Sequence, residues 1–214
     1  MKPQWSRILL FATVAFVGGL LAARAMMVES PRMPPLERAV RLPEAPPLPD
    51  VALVDETGAP FDVGRLHGRY TYVFFGYASC PDICPTTLVT LASVRRALRG
   101  LPVDLQPGVL LVSVDPARDD PARLAPYVRH FDPDIHAVTG NDAELARLVS
   151  ALGAAYARVS LPDGSYTMDH SSGLFLIGPD GRLVATTGAP HDAAVIARDF
   201  RTLVADLGGP RGRR

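Results

Sequence analysis

Apolar and polar positions along this 214-residue chain change their rhythm several times. Ile8 to Ala23 (ILLFATVAFVGGLLAA) is an uncharged apolar run of 16 residues. Tyr70 to Tyr77 (YTYVFFGY) is rich in aromatics and Val, the pattern of a strand buried on both faces, and Val109 to Val114 (VLLVSV) repeats it. Between them, Leu88, Leu91, Ala92 and Leu98 fall near one side of a segment that has Pro85 in its first turn and Gly100 behind it. That pattern predicts a helix over Pro85 to Arg99. A second helix opens at Pro121, after Asp119-Asp120, and runs to about Phe131. Asn141 with Glu144 three residues on starts a third, which ends at Gly153. Leu174 to Ile177 and Leu183 to Thr186 flank Pro179-Asp180-Gly181, a hairpin signal, and Asp55-Glu56-Thr57-Gly58 marks an earlier hairpin. Ile196, Phe200, Leu203 and Leu207 keep helical spacing up to Gly208-Gly209.

Strands alternating with helices predict an α/β fold, a central sheet covered by helices on both faces, which the late hairpin makes mixed. A strand that runs into a cysteine-containing turn and then a helix is the thioredoxin-like arrangement. The ends are read separately. Lys2 and Arg7 precede the apolar run and Arg24 follows it, the layout of a secretory signal or an anchor. An arginine inside the small-x-small motif Ala23-Arg24-Ala25 disfavours cleavage, so a single N-terminal membrane anchor is expected over residues 1–28. The positive residues stay in the cytoplasm and send the remainder outward. Seven of the 21 prolines fall in residues 29–50, so 29–48 reads as an extended linker. A folded domain over 49–208 and a basic tail over 209–214 complete the division.

Composition narrows the function. At 48% hydrophobic and 21% charged, the chain is too apolar to be disordered. The 22 basic and 22 acidic side chains cancel, which argues against a nucleic-acid partner. The cancellation hides an asymmetry, because residues 29–210 hold all the acids and carry a net charge of −6. Only two cysteines are present, which excludes a disulfide framework, a four-cysteine zinc site and an all-cysteine iron–sulfur site.

Both cysteines lie in Cys80-Pro81-Asp82-Ile83-Cys84-Pro85, between the first buried strand and its helix. A residue before proline is biased out of the helical region, so Cys84 is expected as the N-cap, with its thiolate favoured by the helix terminus. The pair could exchange disulfides or bind a metal, or it could merely staple the loop; spacing alone leaves this open. A metal needs a third ligand. His67, His130, His136 and His191 have ordinary structural readings in a polar loop, at a helix end, in a turn and at a helix start. His170 differs: it lies in Met168-Asp169-His170-Ser171-Ser172, in the loop just before the strand Leu174 to Ile177, and in a thioredoxin-like fold that loop packs against the cysteine turn. Asp169 could orient its imidazole, Met168 could face the same side, and Asp82 could tune the local charge.

These segments resemble the SCO/SenC copper proteins of cytochrome c oxidase assembly. The resemblance is carried by Tyr72 to Pro85 (YVFFGYASCPDICP) with Thr86-Thr87-Leu88, by Val114 to Pro121 (VDPARDDP), and by Asp169-His170-Ser171 with Leu174 to Gly181. It covers roughly residues 49–205. One departure is Asp120, where the family pattern suggests Thr; either residue can cap a helix. The resemblance implies that Cys80, Cys84 and His170 bind one copper ion, Cu(I) or Cu(II), a donor set soft enough for both. It also implies a chaperone in the inner membrane, facing the periplasm, that receives copper from another donor protein. The recipient it implies is the CuA domain of cytochrome c oxidase subunit II. The alternative is a membrane-anchored thiol–disulfide oxidoreductase using Cys80 and Cys84 on a partner's cysteines. A peroxidase with one low-pKa cysteine fits the paired cysteines less well.

Overall fold

A computed structural model of the chain describes residues 11–20, 35–42 and 44–207. The chain divides into two compact units, Met1–Pro35 and Leu36–Arg214. In the first, residues 11–20 are helical. No helix among the described residues is long and apolar enough to cross a membrane. The flanks of the expected anchor, with Ala23-Arg24-Ala25, lie outside the described residues, as does the basic tail.

The second unit is built on an eight-stranded mixed sheet. In chain order its strands are β1 (Ala39–Arg41), β2 (Leu53–Asp55), β3 (Pro60–Phe61), β4 (Thr71–Gly76), β5 (Gly108–Ser113) and β6 (Ile135–Thr139), followed by β9 (Leu174–Ile177) and β10 (Leu183–Thr187). A separate two-stranded hairpin, β7 (Tyr156–Ser160) and β8 (Tyr166–His170), intervenes. The spatial order is β1-β10-β9-β4-β5-β6-β2-β3. Strands β4, β5 and β6 are parallel, and every other pairing is antiparallel. Parallel neighbours need crossovers, which the helices α1 (Ile83–Leu98) and α2 (Pro121–Phe131) provide. Helices α3 (Asp142–Ala151) and α4 (Ala193–Leu207) complete the fold.

The central strands β4 and β5 are buried at every position, as their continuous apolar runs require. Phe200 of α4 is fully buried between Tyr70 and Tyr72, with ring centroids 5.6 and 5.9 Å away. Helix α1 turns Leu88, Leu91, Ala92 and Leu98 inward, the side that its spacing marks. Asp120 caps α2 through Arg123 N–H, so the acid works where a Thr is the family pattern.

Four local expectations change. The turn assigned to His136 is strand β6, a five-residue run too short to stand out beside Asp132-Pro133-Asp134. His170 ends strand β8 rather than lying in a loop. Helix α1 begins two residues early, because proline is tolerated anywhere in a first turn whose N–H groups have no helical partners. The proline-rich stretch is not only a spacer: Ala39–Arg41 adds edge strand β1 to β10. That strand is held by Asp199, buried on α4, whose carboxylate accepts the N–H groups of Glu37, Arg38 and Ala39 at 2.8, 2.9 and 2.8 Å.

Asp199→Ala removes an acceptor shared by three backbone donors. It is expected to cost about 1.5–3 kcal/mol in denaturant unfolding. It should also speed proteolysis around residues 36–42 before the rest of the domain opens.

Candidate metal centre

Strand β4 ends at Gly76, and the chain turns through Tyr77, Ala78 and Ser79 before reaching Cys80. Both cysteines are free thiols. Cys84 is buried in the first turn of α1 with its sulfur directly over Gly76: a Cβ at that glycine would lie 2.8 Å from Cys84 Sγ. The strand can therefore end only in a residue without a side chain if the sulfur is to keep its place. Cys80 is 9% exposed and sits at the rim.

The N-cap is Asp82 rather than Cys84, and its side chain makes no capping bond. This reverses the expected polarity of the pair. Cys80 Sγ accepts the N–H of Cys84 at 3.4 Å, so the donors at the helix start point at Cys80. The Cys84 thiol, the Asp82 N–H and the His170 imidazole also stabilise a Cys80 thiolate, which outweighs its desolvation. The Cys84 thiol moves up, because its proton is held towards Cys80 and its site is desolvated. The two directions together favour the thiolate at Cys80 over that at Cys84.

His170 comes from the other side. Its Nε2 lies 3.5 Å from Cys84 Sγ, and its Nδ1 bonds the Ser171 carbonyl at 3.1 Å. With Nδ1 donating to that carbonyl, Nε2 is the ring atom turned to the sulfurs, and it donates to the Cys80 thiolate. Desolvation lowers the His170 pKa, but the bond to Cys80 and the bond to Ser171 raise it above the ordinary value. Nε2 is the nitrogen that would bind a metal once its proton is lost. The orienting group is therefore a backbone carbonyl and not Asp169, which is exposed. Met168 shares the His170 face of β8 and is buried at 9% exposure. Sγ of both cysteines and a ring nitrogen of His170 all lie within 4.8 Å of one another. Two ligands each ~2.3 Å from one ion are at most ~4.6 Å apart, so small shifts would close this set around a metal. Among the described residues no other cluster of three such side chains forms, and His67, His130, His136 and His191 stay apart from it.

Several supporting residues lie in the quoted motif blocks, but the sequence assigns them no role at the site. Tyr77 is buried edge-on to His170, with centroids 6.0 Å apart, and its hydroxyl bonds Thr167 Oγ1 at 2.8 Å. Asp119, fully buried, accepts Ala78 N–H at 2.8 Å and Ser113 Oγ–H at 2.6 Å, which fixes the turn before Cys80. Asp115 pairs with Arg118 and accepts Tyr166 O–H at 2.9 Å. Arg118 reaches the Tyr166 carbonyl at 3.0 Å and lies 3.8 Å over its ring.

The SCO1/SenC family profile matches residues 45–205. The chain belongs to the SCO1/SenC family. A Stutzerimonas stutzeri relative named for copper binding is 39% identical over 151 residues, 70% of this chain and 72% of its own length. The Rickettsia SCO2-like relatives are matched over 65% of their own length. Copper-bound ScoI of Bradyrhizobium japonicum superposes with a TM-score of 0.65 at 33% identity, covering 73% of this chain and 98% of that one. Copper-bound yeast Sco1 gives 0.69 at 28% identity, covering 78% and 94%. The fold is therefore the thioredoxin-like one of Sco proteins, and this Sco-family chain carries a Cys-Cys-His group able to hold a metal.

The polarity of the pair predicts a pH signature. A thiolate held below the ordinary thiol range stays nucleophilic as pH falls, whereas a thiol pushed above it does not react until the pH is high. In the apo protein at pH 6, iodoacetamide is expected to label Cys80 and spare Cys84. Mass spectrometry of the peptides decides, and equal labelling would refute the assignment.

Proposed function

We propose that the chain is a copper metallochaperone, with Cys80, Cys84 and His170 as the ligands of the ion it carries. The observation that carries this reading is the convergence of two sulfurs and an imidazole nitrogen whose other ring nitrogen is already engaged. Two thiolates and one imidazole suit Cu(I) and tolerate Cu(II). Three protein ligands leave room for a donor from the recipient, so the ion can pass by stepwise ligand exchange. The Cys80 thiolate is ready to bind, and Cys84 completes the site by giving up its proton. Membership of the family, and the oxidase-assembly role that the family resemblance implies, support the CuA domain of cytochrome c oxidase subunit II as recipient.

A second reading rests on the same cysteines. A thiolate beside a thiol is the arrangement that attacks a partner's disulfide and then resolves it, so thiol–disulfide exchange at those CuA cysteines is the competing activity. Only the copper reading requires His170. Copper titration of the full-length protein is expected to give one equivalent bound, with a sulfur-to-Cu(II) absorption band. His170→Ala should lose the band, and Cys80→Ser or Cys84→Ser should lose tight binding. Gly76→Ala, which displaces the Cys84 sulfur, should weaken affinity while the protein stays folded. Unchanged binding in His170→Ala, together with efficient disulfide reduction, would favour the oxidoreductase.

The apolar run from Ile8 to Ala23, with Lys2 and Arg7 before it, supports attachment to the inner membrane by one N-terminal segment, with the domain on the periplasmic side. The full chain is expected in the membrane pellet after alkaline carbonate washing, and release to the supernatant would count against an uncleaved anchor.

A further inference from the structure

At the end of the parallel strands away from the cysteines lies a second cavity, of about 140 Å3. Thr71, Gly108 and His136, from the starts of β4, β5 and β6, frame it together with Phe61, Arg65 and Arg69. Five titratable side chains line it, namely Asp55, Glu56, Arg65, Arg69 and His136. Four of them are matched with one another. Arg65 Nη1 donates to Asp55 Oδ2 at 2.7 Å, and His136 Nδ1 bonds Glu56 Oε1 at 2.7 Å. The remaining carboxylate oxygens are also engaged: Asp55 Oδ1 accepts from Thr57 and Ala59, and Glu56 Oε2 accepts Ala137 N–H.

Arg69 is left over. It makes no hydrogen bond or ion pair with any described residue. The acid nearest in charge terms, Asp134, is taken by Arg95 Nη2 at 2.9 Å. The Arg69 guanidinium lies over the bare Cα of Gly108, where a Cβ would come within 2.2 Å of Nη2 and 2.8 Å of Cζ. The absence of a side chain at Gly108 thus makes the seat in which an unmatched cation rests. Partial burial, then the positive charge of Arg95, lower its pKa from the ordinary arginine value, and Asp134 opposes them. The side chain is exposed at the cavity, so its fork is open to an anion from solvent, which would supply the paired hydrogen bonds that no described carboxylate gives it.

We propose that this cavity binds a small oxyanion of the phosphate type, gripped by the planar fork of Arg69 with the free edge of Arg65 beside it. A guanidinium presents two parallel N–H donors at the spacing of two oxygens of such an ion. The site shares no residue with the metal centre, so it stands or falls independently of the copper reading.

Calorimetric titration of the full-length protein with sodium phosphate, at ionic strength held constant with sodium chloride, tests it. The expected result is saturable one-to-one binding. Arg69→Gln should weaken it roughly tenfold or more, as the loss of a charge-assisted pair implies. Arg69→Lys, which keeps the charge but not the fork, should bind between the two. Gly108→Ala, with Arg69 present but displaced, should also weaken binding. Cys80→Ser should bind phosphate as the parent does. A heat that follows ionic strength and not phosphate would overturn the proposal. So would a folded Arg69→Gln protein that binds phosphate as tightly as the parent. If Arg69→Gln fails to fold, the Arg69→Lys and Gly108→Ala titrations decide, and undiminished binding in both overturns the proposal.

Discussion

The β7–β8 hairpin pairs with no strand of the main sheet among the described residues, yet it carries the imidazole that must meet two sulfurs 86 and 90 positions earlier in the chain. A two-stranded ribbon is marginal by itself in water, so side chains have to set its position. Asp115 and Arg118 do this. The pair grips Tyr166 at hydroxyl, ring and carbonyl, and Arg158 covers the same ring at 3.5 Å. Tyr77 adds a second tie through Thr167, one residue along the same strand. At the far end of the hairpin's pairing, Ser171 N–H bonds the Ala155 carbonyl and Ser171 Oγ accepts Ala155 N–H. Tyrosine at one end and serine at the other leave His170 little freedom except rotation about its own side chain. Its Nδ1 bond to the Ser171 carbonyl restricts that as well.

The same economy of contacts explains what could be read from the chain. The buried strands and the amphipathic helices are local patterns, and the structure reproduces them within a residue or two. β6 and the β7–β8 hairpin are not local patterns. The burial of Tyr156–Ser160 runs from intermediate to exposed without alternation, because one face meets solvent and the other meets a few side chains rather than a core. Nothing in such a segment marks it as a strand until its partner is known. Cys80, Cys84 and His170, which the structure brings within 4.8 Å of one another, are legible because the two cysteines share one turn and His170 stands before a strand, with the family resemblance supplying the ligand set. The carboxylates that arrange them fall in the Val114 to Pro121 block that carries the family resemblance, but their roles are not legible, since Asp115 and Asp119 look like ordinary turn and capping residues. Their partners Tyr166 and Ala78 lie 51 and 41 positions away.

The polarity of the cysteine pair shows where local reading fails even with the right residues in hand. Pro85 suggests a helix that starts at itself, which makes Cys84 the cap. The helix starts at Ile83, and the two-residue shift moves Cys84 off the cap and into the wall against Gly76. A cap residue would stand exposed, with the first-turn donors around its own sulfur. A wall residue instead turns its amide outward, and that amide reaches Cys80. The difference of two residues therefore favours Cys80 over Cys84 as the thiolate.

That assignment bears on how an ion would enter and leave under the copper reading. Cys80 is the outer of the two sulfurs, 9% exposed against 1% for Cys84, and the one whose thiolate form is favoured. Cys84 is deeper, favoured as the thiol and braced by the strand, and His170 lies 3.5 Å from it. Capture would then begin at Cys80 and close onto Cys84 and His170, with the protons of Cys84 and His170 Nε2 leaving. Release would run in reverse, with the recipient's ligand replacing the deeper Cys84 before the outer Cys80. An outer thiolate in front of a braced thiol is thus a directional arrangement, and it follows from where one glycine ends a strand.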